Sequence, residues 1–374
     1  MKILYFLPHI TNSGGMERVV MDKINYLVQE KHQVYLAYFG KENDTSFFYI
    51  DDNVHRCPIP FDTNNLSFKK RIRYVLSIIG RVKQLIVNNR IDVVVNANTP
   101  LVSWILPFIC KNIPKVLELH FSYEGLRIMN KELYGKNVLK AKFNQILRQV
   151  IYPLYDKCVL LTDDDKKAWN LKNSEVIPNF TNLDSSCKSK MDGIKALSVG
   201  RLTYQKNMDI LIDAWQWVHK VNPKWSLDIW GGGDDLCFLQ KKIIELGLEN
   251  VVFLRGTSQC LQNEYPKYSL FILPSRYEGF PLVLVEAMQF GLPCIGFKIP
   301  GNTTVIKNGI NGYIVEKRDA QLLGQTINKA INSESALKEM SQNALETITR
   351  FSKEKIMSQW IDLFNRVSSS MFQY

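Results

Sequence analysis

The chain has 374 residues, of which 46% are hydrophobic and 22% charged, with a formal net charge of +11. That length exceeds what one core usually organises, and the composition is that of an ordinary folded protein, so two domains are expected and a fibrous or disordered chain is excluded. Seven cysteines are scattered without a CxxC pair, which excludes a compact disulfide framework and fits reduced thiols in a cytoplasmic protein.

In chain order, the opening KILYFLPHI is too short to span a bilayer and lacks a small-residue cleavage site. It reads as a first core strand over 2–7 rather than a signal peptide. No other stretch reaches about eighteen uninterrupted apolar residues, so the expectation is a protein that neither spans a membrane nor is secreted. Gly14 and Gly15 follow this strand and precede a helix beginning near Met16, where the backbone could approach a phosphate with no side chain in the way. A plain tight turn accounts for such a pair as well. A strand is expected at 33–39. The stretch 66–90, LSFKKRIRYVLSIIGRVKQLIVNNR, then carries no acid, and Ile72, Val75, Leu76, Ile79, Val82 and Ile86 recur at helical spacing. Lys69, Lys70, Arg73 and Arg81 fall largely off that stripe.

Strands are expected next at 92–96 and 116–119, the second ending at His120. A further basic stretch, 127–148, includes Lys131, Lys136, Lys140 and Lys142. Basic helices of this kind read either as contacts to an anionic membrane surface or as solvated faces of domain helices. Neither stretch interleaves cations with aromatics in a way that would read bases, so nucleic acid is not an expected partner. After a strand at 158–161, Asp163, Asp164 and Asp165 contain a DxD, but they follow Thr162 at a predicted helix start, where first-turn acids favour the dipole. The polar segment 179–193 reads as a hinge.

The second half repeats the alternation of strand and helix, with strands expected at 196–199, 227–230, 251–254, 270–273, 293–297 and 313–315. Such alternation implies parallel sheets covered by helices on both faces. Arg201 and Lys206 follow the first of these strands, with Gly200 allowing the turn and Asn207 placed to cap the next helix. A guanidinium and an ammonium on one loop can neutralise a diphosphate leaving group, although an isolated pair also reads as two solvated cations. The run from Gly231 to Asp235 approaches a dinucleotide loop, yet Leu236 stands where the third glycine of GxGxxG belongs, which disfavours a nicotinamide oxidoreductase.

The most informative stretch is 271–291, FILPSRYEGFPLVLVEAMQFG. It reads as a buried strand, a loop to Phe280, and an apolar helix from Pro281 to Phe290, with Pro281 at the first helical position. The amides of Phe280, Leu282 and Val283 are then expected to point out of the helix N-terminus towards an anion. Glu286 is costly to bury unless something hydrogen-bonds it, and a ribose diol would do so. Glu278, in the loop, would face the sugar being transferred. Spacing alone leaves open an unrelated loop glutamate and helix-surface glutamate.

SRYEGFPLVLVEAMQFGLPCIGF, followed by GNTTVIKNGINGYIV, resembles the E-x7-E signature of retaining glycosyltransferases of family four, which have the GT-B architecture. NSGGMERVV at 12–20, ELH at 118–120, LTDDD at 161–165, IPN at 177–179, VGRLTYQKNMDILIDAW at 199–215 and NPKWSLDIWGGG at 222–233 extend the likeness over nearly the full length. The nearest branch builds bacterial surface polysaccharides on lipid carriers: exopolysaccharide, O-antigen or lipid-linked oligosaccharide. The resemblance implies an α/β fold of two Rossmann-like domains with mostly parallel sheets facing across a cleft. Residues 1–180 would form the acceptor side, 181–193 a hinge and 194–352 the nucleotide-sugar domain, with a closing helix at 353–374 crossing back to the first domain. It further implies transfer of a hexose or N-acetylhexosamine from a nucleoside-diphosphate sugar, uridine being the expected base, to a glycan on undecaprenyl diphosphate.

By the same resemblance, Glu278 and His120 serve the reaction, His120 as a hydrogen-bonding partner of the donor sugar rather than a general base. Arg201, Lys206, Gly14, Gly15, Phe280, Pro281 and Leu282 hold the donor diphosphate, and Glu286, Gly231 and Arg255 lie at the ribose and base. The leaving phosphate accepts the acceptor's proton, and no metal or other cofactor is required. The expected location is cytoplasmic, peripheral on the inner face of the cytoplasmic membrane. A sugar-nucleotide epimerase or hydrolase of the same fold, or a non-catalytic partner subunit, remain as alternatives.

Overall fold

A computed structural model describes residues 1–60, 67–134, 138–183, 185–258 and 260–369. The chain forms two units, Met1–Asn179 with Glu354–Tyr374, and Phe180–Lys353. In the first, the order is β1 Lys2–Leu7, α1 Gly15–Gln29, β2 Gln33–Phe39, β3 His55–Ile59, α2 Phe68–Asn89, β4 Val93–Asn96, α3 Pro100–Ile105, β5 Lys115–Glu118, α4 Tyr123–Tyr134, α5 Val138–Ile151, β6 Lys157–Leu160, α6 Asp163–Trp169 and β7 Ser174–Val176. In the second it is β8 Lys195–Val199, α7 Met208–Val221, β9 Ser226–Trp230, α8 Leu236–Glu245, β10 Val252–Gly256, β11 Leu270–Leu273, α9 Leu282–Gln289, β12 Cys294–Phe297, α10 Pro300–Val305, β13 Gly312–Val315, α11 Ala320–Ile331 and α12 Glu334–Ile348. The closing helix, α13 Lys353–Ser369, belongs almost wholly to the first unit.

Both sheets are parallel throughout, in the orders β3-β2-β1-β4-β5-β6-β7 and β10-β9-β8-β11-β12-β13. The central strands are buried along their length, β4 as VVVN and β11 as LFIL, because helices cover both faces of a parallel sheet. In each unit the chain lays down one strand, steps outward to two more, and returns to the other side of the first. This creates a switch point between β1 and β4 and another between β8 and β11. Loops leaving the carboxyl ends there diverge, opening a crevice suited to ligands.

Two edge strands were not expected from the sequence. β3, HRCPI, is half exposed and contains Pro58, and β7 is only three residues long, so neither shows an apolar run. The α2 stripe also differs. Ile78, Val82 and Ile86 are buried and pack in the unit 1 core, whereas Ile72 and Leu76 lie in solvent beside Lys69, Lys70 and Arg73. Packing on the core begins with the half-buried Tyr74, and full burial is reached only from Ile78 onward. Lys136 of the second basic stretch lies outside the described residues.

Candidate functional site

In the second unit the β8–α7 loop and the β11–α9 loop flank the switch point and are laced together. Asn207 Nδ2 donates to the Pro274 carbonyl at 2.9 Å, Gln205 Nε2 donates to that of Tyr277 at 3.1 Å, and the Arg276 amide donates to that of Gln205 at 2.8 Å. The Arg276 side chain adds a bond from Nε to the Tyr204 carbonyl at 3.0 Å and lies 4.1 Å over the Tyr204 ring. This lacing presents Lys206 to Glu278, with Nζ 2.7 Å from Oε1 and both side chains largely buried. Gly200 makes room for the pair, since a Cβ there would sit 3.1 Å from the Lys206 stem. A buried carboxylate beside an ammonium can accept sugar hydroxyls on one side while the cation meets an anion on the other. Arg201, one turn of loop earlier, is exposed.

Glu286 lies on the buried face of α9 and accepts from Tyr265 Oη at 2.8 Å. The Tyr265 ring is fully buried and stacks on Phe290, centroids 5.0 Å apart, so the hydroxyl that satisfies the carboxylate is fixed from behind. On β9, Asp228 accepts from Tyr268 Oη at 2.8 Å and pairs with Arg255 at 3.0 Å. Gly231 brings two loops into backbone contact: at φ +149° its missing Cβ would fall 1.9 Å from the Gly200 carbonyl oxygen. Only glycine fits there.

In the first unit, α1 starts at Gly15 with Gly14 as its N-cap. Glu17 turns its carboxylate against Gly14 and accepts from Asn12 Nδ2 at 3.2 Å, so the mouth of this helix is lined by an acid as well as by glycine. At the end of β5, His120 Nε2 lies 3.1 Å from Glu118 Oε1, and Glu118 also pairs with Lys23 of α1, all three being buried. The Lys23 ammonium sits 4.3 Å over the Trp360 ring of α13. Burial pushes the Glu118 carboxyl up, but Lys23 and His120 outweigh it and hold the group at about 2. Glu118 is therefore a permanent carboxylate at neutral pH.

Residues 13–185 match the family model for Glycosyltransferase Family 4, and residues 180–347 match that for Glycosyl transferases group 1, so the two together span most of the chain. The chain belongs to glycosyltransferase family 4. Among relatives of this family-4 chain, the amylovoran biosynthesis glycosyltransferase AmsD of Erwinia amylovora is 28% identical over 97% of this chain and 99% of its own length. Among solved structures, sucrose-phosphate synthase from Thermosynechococcus elongatus superposes with a TM-score of 0.81 at 17% identity, covering 99% of each chain. Anabaena Alr3699/HepE in complex with UDP gives 0.77 at 20%, covering 98% of this chain and all of its own. At those identities the likeness shows the fold, which is GT-B.

The family-4 chain departs from the sequence expectations in two places at these loops and agrees with them at the DxD of the first unit. Pro281 is the N-cap of α9 rather than its first helical residue, and the Leu282 amide donates to the Phe280 carbonyl at 3.0 Å instead of pointing outward. Asn207 occupies the N-cap position of α7 in the left-handed region, but its side chain serves Pro274 and not the helix amides. The DxD does open a helix: Thr162 Oγ1 caps the Asp165 amide at 3.0 Å, and Asp165 accepts from the Tyr123 amide. Among residues the sequence reading passed over, Lys23 was findable. It stands four after Val19 and three after Val20, at a core position of α1, where a charge needs a partner.

Proposed function

We propose that the chain is a retaining, metal-independent glycosyltransferase that moves a hexose or N-acetylhexosamine from a UDP-sugar to a lipid-linked glycan during bacterial surface-polysaccharide synthesis. The observation that carries this reading is the Lys206–Glu278 pair at the switch point of the second unit. With the donor in place, Lys206 and the exposed Arg201 meet the diphosphate, and Glu278 receives hydroxyls of the sugar. Glu286 takes the ribose diol, with Tyr265 fixing its orientation. The bond between the anomeric carbon and the phosphate oxygen breaks as the acceptor oxygen bonds to that carbon on the same face, and the leaving phosphate takes the acceptor's proton. Two cations stabilise the charge that grows on the leaving group.

Uridine is the preferred base because UDP occupies the similar HepE fold, and a polysaccharide product agrees with the named role of AmsD. The acid-free α2 and α5, with Lys69, Lys70, Arg73, Lys140 and Lys142 exposed, suit an anionic membrane surface where a lipid carrier resides. No helix among the described residues is long and apolar enough to cross a membrane. The test is transfer from radiolabelled UDP-sugars to a lipid extract: Glu278→Gln should abolish product while the variant stays folded, with an unfolding midpoint lowered by loss of the charge beside Lys206. An active Gln variant would remove Glu278 from the mechanism.

A further inference from the structure

We infer that α5 is an interfacial helix whose apolar stripe enters an anionic lipid surface, so that the protein is held there by insertion and not by charge alone. This rests on the membrane reading above and adds to it a specific element and mode of attachment. Leu139, Phe143, Ile146 and Val150 are 80%, 60%, 56% and 58% exposed. At about 100° per residue, their positions fall within roughly 60° of arc, a single line along the helix. A domain helix normally turns such a line inward. In α5 it faces solvent, while Ile151 at the end of the helix is the residue that reaches the core.

A contiguous exposed apolar line marks an interaction surface. Its surroundings identify the occupant. Lys140 and Lys142 are exposed on opposite flanks of the line, and α5 contains no acid. A second copy of this helix would bring the same cations against themselves, which penalises a symmetric pairing. Lipid phosphates instead lie at the depth to which lysines reach when the apolar side chains between them are inserted. The stripe and the cations then act together, the lysines drawing the helix to the headgroups and the four apolar side chains retaining it.

The experiment is co-sedimentation of the full chain with vesicles of phosphatidylglycerol and phosphatidylcholine, at about 0.1 M and about 1 M salt, where the screening length falls from roughly 10 Å to 3 Å. The wild type should weaken at high salt yet stay substantially bound. Phe143→Ser with Ile146→Ser should lower vesicle partitioning at both salts, on the order of tenfold for each side chain, with the urea midpoint unchanged because both are exposed. Lys140→Gln with Lys142→Gln should reduce the salt-sensitive part alone, the cations of α2 supplying the rest. Three results would each overturn the inference: complete release of the wild type at high salt, undiminished binding by the serine variant, or a wild-type dimer that the serine variant converts to monomer. Glu278→Gln should bind vesicles as the wild type does, so the transfer reading and the insertion reading can fail separately.

Discussion

Replacing Lys23 by Met tests the electrostatics of the first unit, because the two side chains have similar length and only the charge is lost. Glu118 is fully buried, and Lys23 is the larger of the two neighbours that hold it ionised at about 2. Removing one partner of a buried pair costs about 3–5 kcal/mol, since the remaining charge is left uncompensated. The pH dependence fixes the cause. In the wild type the carboxyl lies below its ordinary 4.5, so its stabilising contribution is present above that value and is lost as pH falls from 4.5 towards 2. In Lys23→Met, burial acts against a weaker opposition and the carboxyl moves up, so the variant gains relative to the wild type on acidification. Its deficit, largest near neutrality, should narrow as pH falls through the carboxylate range. Replacing both residues, Lys23→Met with Glu118→Leu, should return most of the loss, leaving the protein within about 1 kcal/mol of the wild type. Native-state hydrogen exchange of the β1 and β5 amides reads this unit by itself, and urea unfolding checks it globally. A deficit under about 1 kcal/mol, or one that does not change with pH, would refute the reasoning.

Arg201→Ala should leave the thermal midpoint unchanged, as the side chain is exposed, and weaken UDP binding about tenfold or more in a calorimetric titration. Equal affinity would take Arg201 out of the donor site. Tyr265→Phe withdraws a buried hydrogen bond from Glu286 and should cost about 1–3 kcal/mol in urea unfolding, together with a rise in KM for the donor. Gly231→Ala must displace the Gly200 carbonyl and should destabilise the second unit by at least about 2 kcal/mol, visible as a lower unfolding midpoint.

Much of the architecture could be read before the fold was known, for reasons particular to parallel sheets. Strands buried on both faces are continuous apolar runs, and β1, β2 and β11 fall at the expected residues. What escaped was whatever lacked such a run, as with the proline-bearing β3 and the short β7. The sites were less legible for a different reason. The ordering of Lys206 and Glu278 along the chain says that each leaves a strand end, but their contact depends on Asn207, Gln205 and Arg276 bonding to carbonyls of the opposite loop, and backbone acceptors have no residue code. Glu286 had a legible need for a donor. That the donor includes a tyrosine from the short helical turn at 265–267 follows only from the packing of Tyr265 against Phe290. The helix spacing in α2 implies one stripe, whereas burial divides it, because periodicity reports which residues share a face and not how much of that face is covered.

The lacing of the two loops in the second unit bears on how such an enzyme could be re-engineered. Lys206 and Glu278 are 72 positions apart, and each is aimed by bonds made to the main chain of the other's loop. A graft that imported one loop from a homologue of different donor preference would bring a side chain without the carbonyls that aim it. The transplantable module is therefore the discontinuous pair 200–207 and 274–281, and chimaeras cut between them should fold yet lose donor selectivity, while those that carry both across should exchange it.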